Sequence, residues 1–221
     1  MNDKPFARKT LAGAAALCAL ALAAPAAQAL GVTDASNDFI ASFTGPHAGD
    51  LDVLGSFVTY NPMTDKFVFA GTMNGDIGTT PGSFYVWGIN RGAGTAGFAS
   101  IGVGGVLFDA IVRLNGDGSG VVSGGVTLPA GTAKVVGSTI IAEIDGALLP
   151  STGFAKGMYT WNLWPRAAGI AGTAAISDFA PDNANLPVAA LSPVPEPASL
   201  GLFLLGLGGL SLRLSKRRAG D

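Results

Sequence analysis

The sequence predicts an all-β domain, β-sandwich or jelly-roll-like, carried between two segments that lie outside it. Three observations point there. Runs of seven to ten residues rich in Val, Ile, Phe, Tyr and Trp recur between positions 52 and 144, bounded by Gly, Asn, Asp and Pro. No internal stretch carries a capped apolar stripe at helical spacing. Glycine makes up 33 of 221 residues, about twice ordinary usage, as many turns and bulges require.

The elements follow in order. Residues 52–60, with Val53, Phe57, Val58 and Tyr60, read as a strand, and 61–65 as a turn around Pro62. Residues 66–73 form the return strand. Asn74-Gly75 is a dipeptide that closes tight hairpins, because both residues tolerate positive φ. Residues 84–90 and 105–114 are the next strands. Residues 115–118 then turn, and 120–128 return. The run 135–144 is the last, with its core at 139–144. About eight strands are expected over a domain at 30–180, long enough to bury a core without disulfides. Pro181, Pro187 and the neighbouring asparagines make 181–193 a linker.

The N-terminal segment is an address. Lys4, Arg8 and Lys9 precede an apolar run at 11–24, then Pro25 and the small-residue site Ala27-Gln28-Ala29. Positive charge, a short apolar core and an A-x-A site predict a secretory signal peptide at 1–29, cut after Ala29 by signal peptidase. Cys18, the one cysteine, falls within it. The mature chain then has no thiol for a disulfide, a nucleophile or a metal.

The C-terminal end has three parts. Pro195-Glu196-Pro197 stands before fifteen uncharged residues at 198–212, and Arg213, Lys216, Arg217 and Arg218 follow. Fifteen is short for a membrane span, which ordinarily takes about 17–25. Arg213 can snorkel, which extends the transmembrane helix to about 198–214. The basic cluster predicts a cytoplasmic tail, with the domain on the far side of the membrane.

This tail resembles the PEP-CTERM sorting signal of Gram-negative bacteria. The resemblance covers 194–218: the motif Pro195-Glu196-Pro197, the Leu/Gly-rich span and the basic end. It implies recognition of the motif by exosortase, a membrane transpeptidase-like enzyme with a catalytic cysteine. It also implies removal of the helix and delivery to the cell surface or the exopolysaccharide matrix. Segments such as 50–54, 86–92, 162–166 and 176–181 also look like those of PEP-CTERM proteins of unassigned function, which brings no chemistry with it.

Little in the domain itself points to catalysis. Residues 30–192 hold six basic residues against twelve acidic ones, a formal charge of −6, which disfavours nucleic acid as a partner. His47 is the single histidine and no G-x-S-x-G elbow is present, so an exposed loop histidine is the simpler reading. Leu149-Pro150-Ser151-Thr152-Gly153 spells a Gram-positive sortase motif, but neither a span nor a basic tail follows it, and a turn is expected. Asn115-Gly116-Asp117-Gly118-Ser119-Gly120 matches half of a calcium loop and lacks the acidic residue at its twelfth position, where Val126 stands; a hairpin turn fits better.

No cofactor is expected, although two or three of Asp50, Asp52, Asp65, Asp76, Asp178 and Asp182 could converge on a structural Ca²⁺. Tyr159 and Trp161 share one strand face and are candidates for stacking on sugar, with burial in the core as the plainer role; Trp164 lies on the other face. The expected function is therefore a non-enzymatic surface or matrix module, structural or polysaccharide-associated. The alternative is an exopolysaccharide hydrolase with two Asp in a groove.

Overall fold

The computed structural model describes residues 31–191. The signal peptide, Pro195-Glu196-Pro197, the expected span and the basic tail lie outside the described residues. Within them no helix is long and apolar enough to cross a membrane.

The strands form two sheets. The first takes β1 (Gly31–Thr33), β2 (Val53–Asn61), β3 (Lys66–Met73), β9 (Thr139–Asp145) and β8 (Ala133–Val136) in that spatial order, and β12 (Ala189–Ala190) adds in parallel to β2. The second runs β11 (Leu186–Pro187), β10 (Thr160–Arg166), β4 (Phe84–Asn90), β5 (Ala110–Asn115), β6 (Gly120–Val122) and β7 (Val126–Thr127). All its pairs are antiparallel. The expected strands at 66–73 and 84–90 form at those bounds.

Alternation explains the core. Phe67, Phe69 and Met73 of β3 and Ile140, Ala142 and Ile144 of β9 point inward from the first sheet. Tyr85, Trp87 and Ile89 of β4 and Trp161 and Leu163 of β10 meet them from the second. The intervening residues differ between the sheets. Those of the first face solvent in part, as with Phe57 and Glu143. Those of the second, Val86 and Trp164, are buried again under Phe98, Val106, Ile176 and Phe179 from two long connections. Gly88 makes room for that second layer: a Cβ there would stand 2.3 Å from the Trp164 ring.

Five local expectations are corrected. The run 120–128 is not one return strand but β6 and β7, paired antiparallel around Gly124 and Gly125 at positive φ. The run 105–114 becomes a strand only at Ala110, because the residues before it belong to the covering loop. The run 135–144 is a hairpin, with Val136 paired to Thr139 and Gly137 at φ +56° in the turn between them. Asn74-Gly75 closes no hairpin: β3 and β4 lie in different sheets, and the Asn74 amide donates to Asp52 Oδ2 (2.8 Å). Residues 181–191, expected as linker, are built into the fold. β11 pairs with β10, β12 with β2, and Val188 is buried between them.

Candidate functional site

Five aspartates from three distant segments gather at one place. Asp34 and Asp38 lie in the loop after β1, Asp52 immediately before β2, and Asp178 and Asp182 in the segment joining β10 to β11. Asp38, Asp52 and Asp178 each bring a carboxylate oxygen within 4.8 Å of the other two, and so do Asp34, Asp38 and Asp182. Asp38 belongs to both triads.

The local fold holds these groups in place. The Val53 N–H donates to Asp178 Oδ2 (2.9 Å) and the Phe179 N–H to its Oδ1 (2.7 Å). Asp52 Oδ2 accepts from the Asn37 N–H and the Asn74 amide, both at 2.8 Å. Asn37 adopts φ +63°, a left-handed turn that asparagine tolerates better than most residues. The Asn162 amide donates to the Ala184 carbonyl (2.9 Å) and steadies the loop that carries Asp182.

What the cluster lacks is positive charge. Asp52 is fully buried and its Oδ1 meets no donor; Asp34 Oδ2 and Asp38 Oδ1 are likewise shielded from solvent and without a partner. No Lys or Arg forms an ion pair with any of the five among the described residues. Burial pushes the Asp178 carboxyl up to about 8, against the Val53 N–H and with the charges of Asp34 and Asp38 adding. Burial, then the charges of Asp38 and Asp182, push Asp34 up to about 6. Burial also raises Asp38.

Asp50, Asp65, Asp109 and Asp145 have partners of their own. Asp50, fully buried, accepts from the Thr80 N–H (2.7 Å) and hydroxyl (2.6 Å). Asp65 meets Lys156 at 2.7 Å, and Asp145 meets Lys66 at 3.4 Å. Asp109 is held by Arg91 through its Nε (3.1 Å) and backbone N–H (3.0 Å), by the Ala93 N–H (3.2 Å) and by the Thr152 hydroxyl.

The sequence-based candidates separate cleanly. Asp52, Asp178 and Asp182 converge; Asp50, Asp65 and Asp76 do not. Asp34 and Asp38 are absent from the sequence-based set. Their signal is two acids four apart in a polar loop, which resembles any solvated turn. Tyr159 and Trp161 are fully buried in the sandwich core and offer no face to a sugar ring; the Trp161 ring N–H donates to the Pro187 carbonyl (3.3 Å). Trp164 sits on the opposite face, as alternation requires. His47 is exposed and stacks on Phe39, with ring centroids 4.4 Å apart. The Leu149–Gly153 pentapeptide folds as a turn against Arg91, whose backbone carbonyl accepts from the Thr152 (3.3 Å) and Phe154 (2.8 Å) N–H groups. Residues 115–120 form the β5–β6 hairpin turn, where Asp117 accepts from the Ser119 N–H (2.9 Å).

One open groove, about 390 Å³, lies on the outer side of the second sheet. Phe84, Phe98, Phe108 and Trp164 line it together with Arg113 and Arg166, and none of the five aspartates does. The Arg113 guanidinium sits 3.9 Å above the Phe84 ring.

Beyond the last described residue, positions 193–218 match the model of the PEP-CTERM protein-sorting motif. The chain carries a PEP-CTERM sorting tail. A PEP-CTERM tail marks an exported precursor that exosortase sorts to the cell surface. Comparison with curated proteins and with solved structures finds no match.

Proposed function

We propose that this PEP-CTERM protein is a non-enzymatic surface or matrix component. Signal peptidase removes 1–29, the C-terminal helix holds the precursor in the membrane, and exosortase acts at Pro195-Glu196-Pro197. The β-sandwich is then left at the surface or in the exopolysaccharide. The match at 193–218 carries the sorting half of this reading. The groove supports the polysaccharide half: Phe84 and Phe108, both partly exposed, line it with Arg113 and Arg166, and the acids gather elsewhere.

Intact mass of the protein from its host, with and without the exosortase, tests the proposal. Loss of 1–29 is expected in both strains. Loss of the chain from about Pro195 onward is expected only where the enzyme is present, with the trimmed form in the surface or matrix fraction. A C-terminal helix retained in both strains would sink the sorting claim. A trimmed form found free in the medium would sink the matrix role.

A further inference from the structure

The aspartate cluster has the makings of an ion site with the ion left to be named. Five acids and no base share the space, and the one Asp52 oxygen left over by Asn37 and Asn74 is buried without a donor. A buried carboxylate in that state is costly unless a proton or a cation relieves it. The donors are all carboxylate oxygen, with no imidazole or thiolate, which suits a hard cation and not zinc or copper.

We propose that Asp38, Asp52 and Asp178 bind a Ca²⁺ ion, with Asp34 and Asp182 completing the site at its outer edge. Calcium takes oxygens at about 2.3–2.6 Å, so ligands facing each other across the ion stand about 4.6–5.2 Å apart. Carboxylate oxygens within 4.8 Å of one another fit such a sphere. Magnesium demands near-ideal octahedral geometry and gives up its waters reluctantly, so a site built from protein carboxylates alone suits it less.

The ion ties together segments far apart in sequence. Asp34 and Asp38 follow the first strand, Asp52 opens β2, and Asp178 and Asp182 precede the last two strands. It fastens the beginning of the domain to the segment that leads into the PEP-CTERM tail. Extracellular calcium modules bind at about 10⁻⁴–10⁻³ M, which is the range of affinity expected here.

The test uses the full chain in mild detergent, stripped with chelator and returned to chelator-free buffer. It does not depend on sorting, so its failure and the failure of the sorting reading are separate. Titration calorimetry should show calcium binding. At roughly 100-fold over Kd, calcium should raise Tm by about 5–10 °C. Asp38→Asn, near the surface, should fold and lose most of that rise; Asp52→Asn should lose it as well. Asp109→Asn should keep the rise, because Arg91 and not an ion holds that acid. No calcium-dependent rise, or a rise that survives in Asp38→Asn, overturns the site. An equal rise with Mg²⁺ overturns calcium as its ion.

Discussion

Two acids on this molecule, Asp109 nearly buried and Asp52 fully so, meet the same problem with opposite means. Asp109 brings its counter-charge with it: both of its oxygens are occupied, and Arg91, itself largely buried, is its ion-pair partner. Asp52 stands among four other aspartates, with one oxygen satisfied by neutral amides and the other by nothing. The Asp109 site is complete as a folded polypeptide. The Asp52 site is complete only when something positive enters. A buried acid with an internal base is a structural device; an acid oxygen buried with neither a base nor a donor, as at Asp52, is the place that calls for a cation.

The sharpest way to break the contrast is to make Asp109 resemble Asp52. Arg91→Ala leaves the Asp109 carboxylate buried without its ion pair and removes the guanidinium bond to the Pro150 carbonyl (3.0 Å). Loss of one partner of a buried pair costs about 3–5 kcal/mol. A fall in Tm of roughly 10 °C or more is expected, and calcium should restore none of it. A fall of a degree or two would mean that Thr152 and the backbone donors hold Asp109 without the arginine.

Acidity separates the two regions by sign. In metal-free protein the Asp178 and Asp34 carboxyls are raised to about 8 and about 6, above their value in the unfolded chain. Folding then takes up protons, so this stability is full below about pH 4 and is lost as pH rises through 6 and 8. Asp109 behaves oppositely. Burial raises it, but the bonds from Thr152 and Arg91 outweigh burial and leave it below the ordinary value. Its contribution is present above about pH 4 and is lost only on further acidification. With chelator present, Tm should therefore be higher at pH 5 than at pH 8, by an amount worth on the order of 3 kcal/mol and dominated by Asp178. Saturating calcium should flatten that slope. A metal-free Tm that climbs from pH 5 to pH 8 would contradict the account.

The sandwich itself was largely legible because its signal is local. Runs of β-branched and aromatic residues bounded by turn formers set β3 and β4 at their observed bounds. Turn chemistry was legible where both strands stay in one sheet, as at 115–120. It misled at Asn74-Gly75, where the chain leaves one sheet for the other and Asn74 serves Asp52 instead. The burial of Trp164 on the outer side of β10 depends on two long connections with no periodicity to read. The acid cluster was only half legible for the same reason. Asp52 and Asp178 are more than a hundred positions apart, and nothing in the neighbourhood of either names the other.

The smallest effect is the most particular to the cluster. Replacing an acid by its amide at a satisfied site removes a bond and destabilises. At Asp34 the opposite is expected in metal-free protein. Its Oδ2 has no donor to lose, and its charge opposes Asp38 and Asp182. Asp34→Asn removes that repulsion and supplies an N–H₂ donor to neighbours that are all acceptors. Because Asp34 is only half-buried, solvent reduces the gain to about 1 kcal/mol, or a rise in Tm of about 2–4 °C at pH 8 with chelator present. In calcium the advantage should vanish, since the same carboxylate then faces a cation. A variant that melts lower than the parent in chelator would show that Asp34 is already satisfied, and the repulsion between it and its neighbours would have to be abandoned.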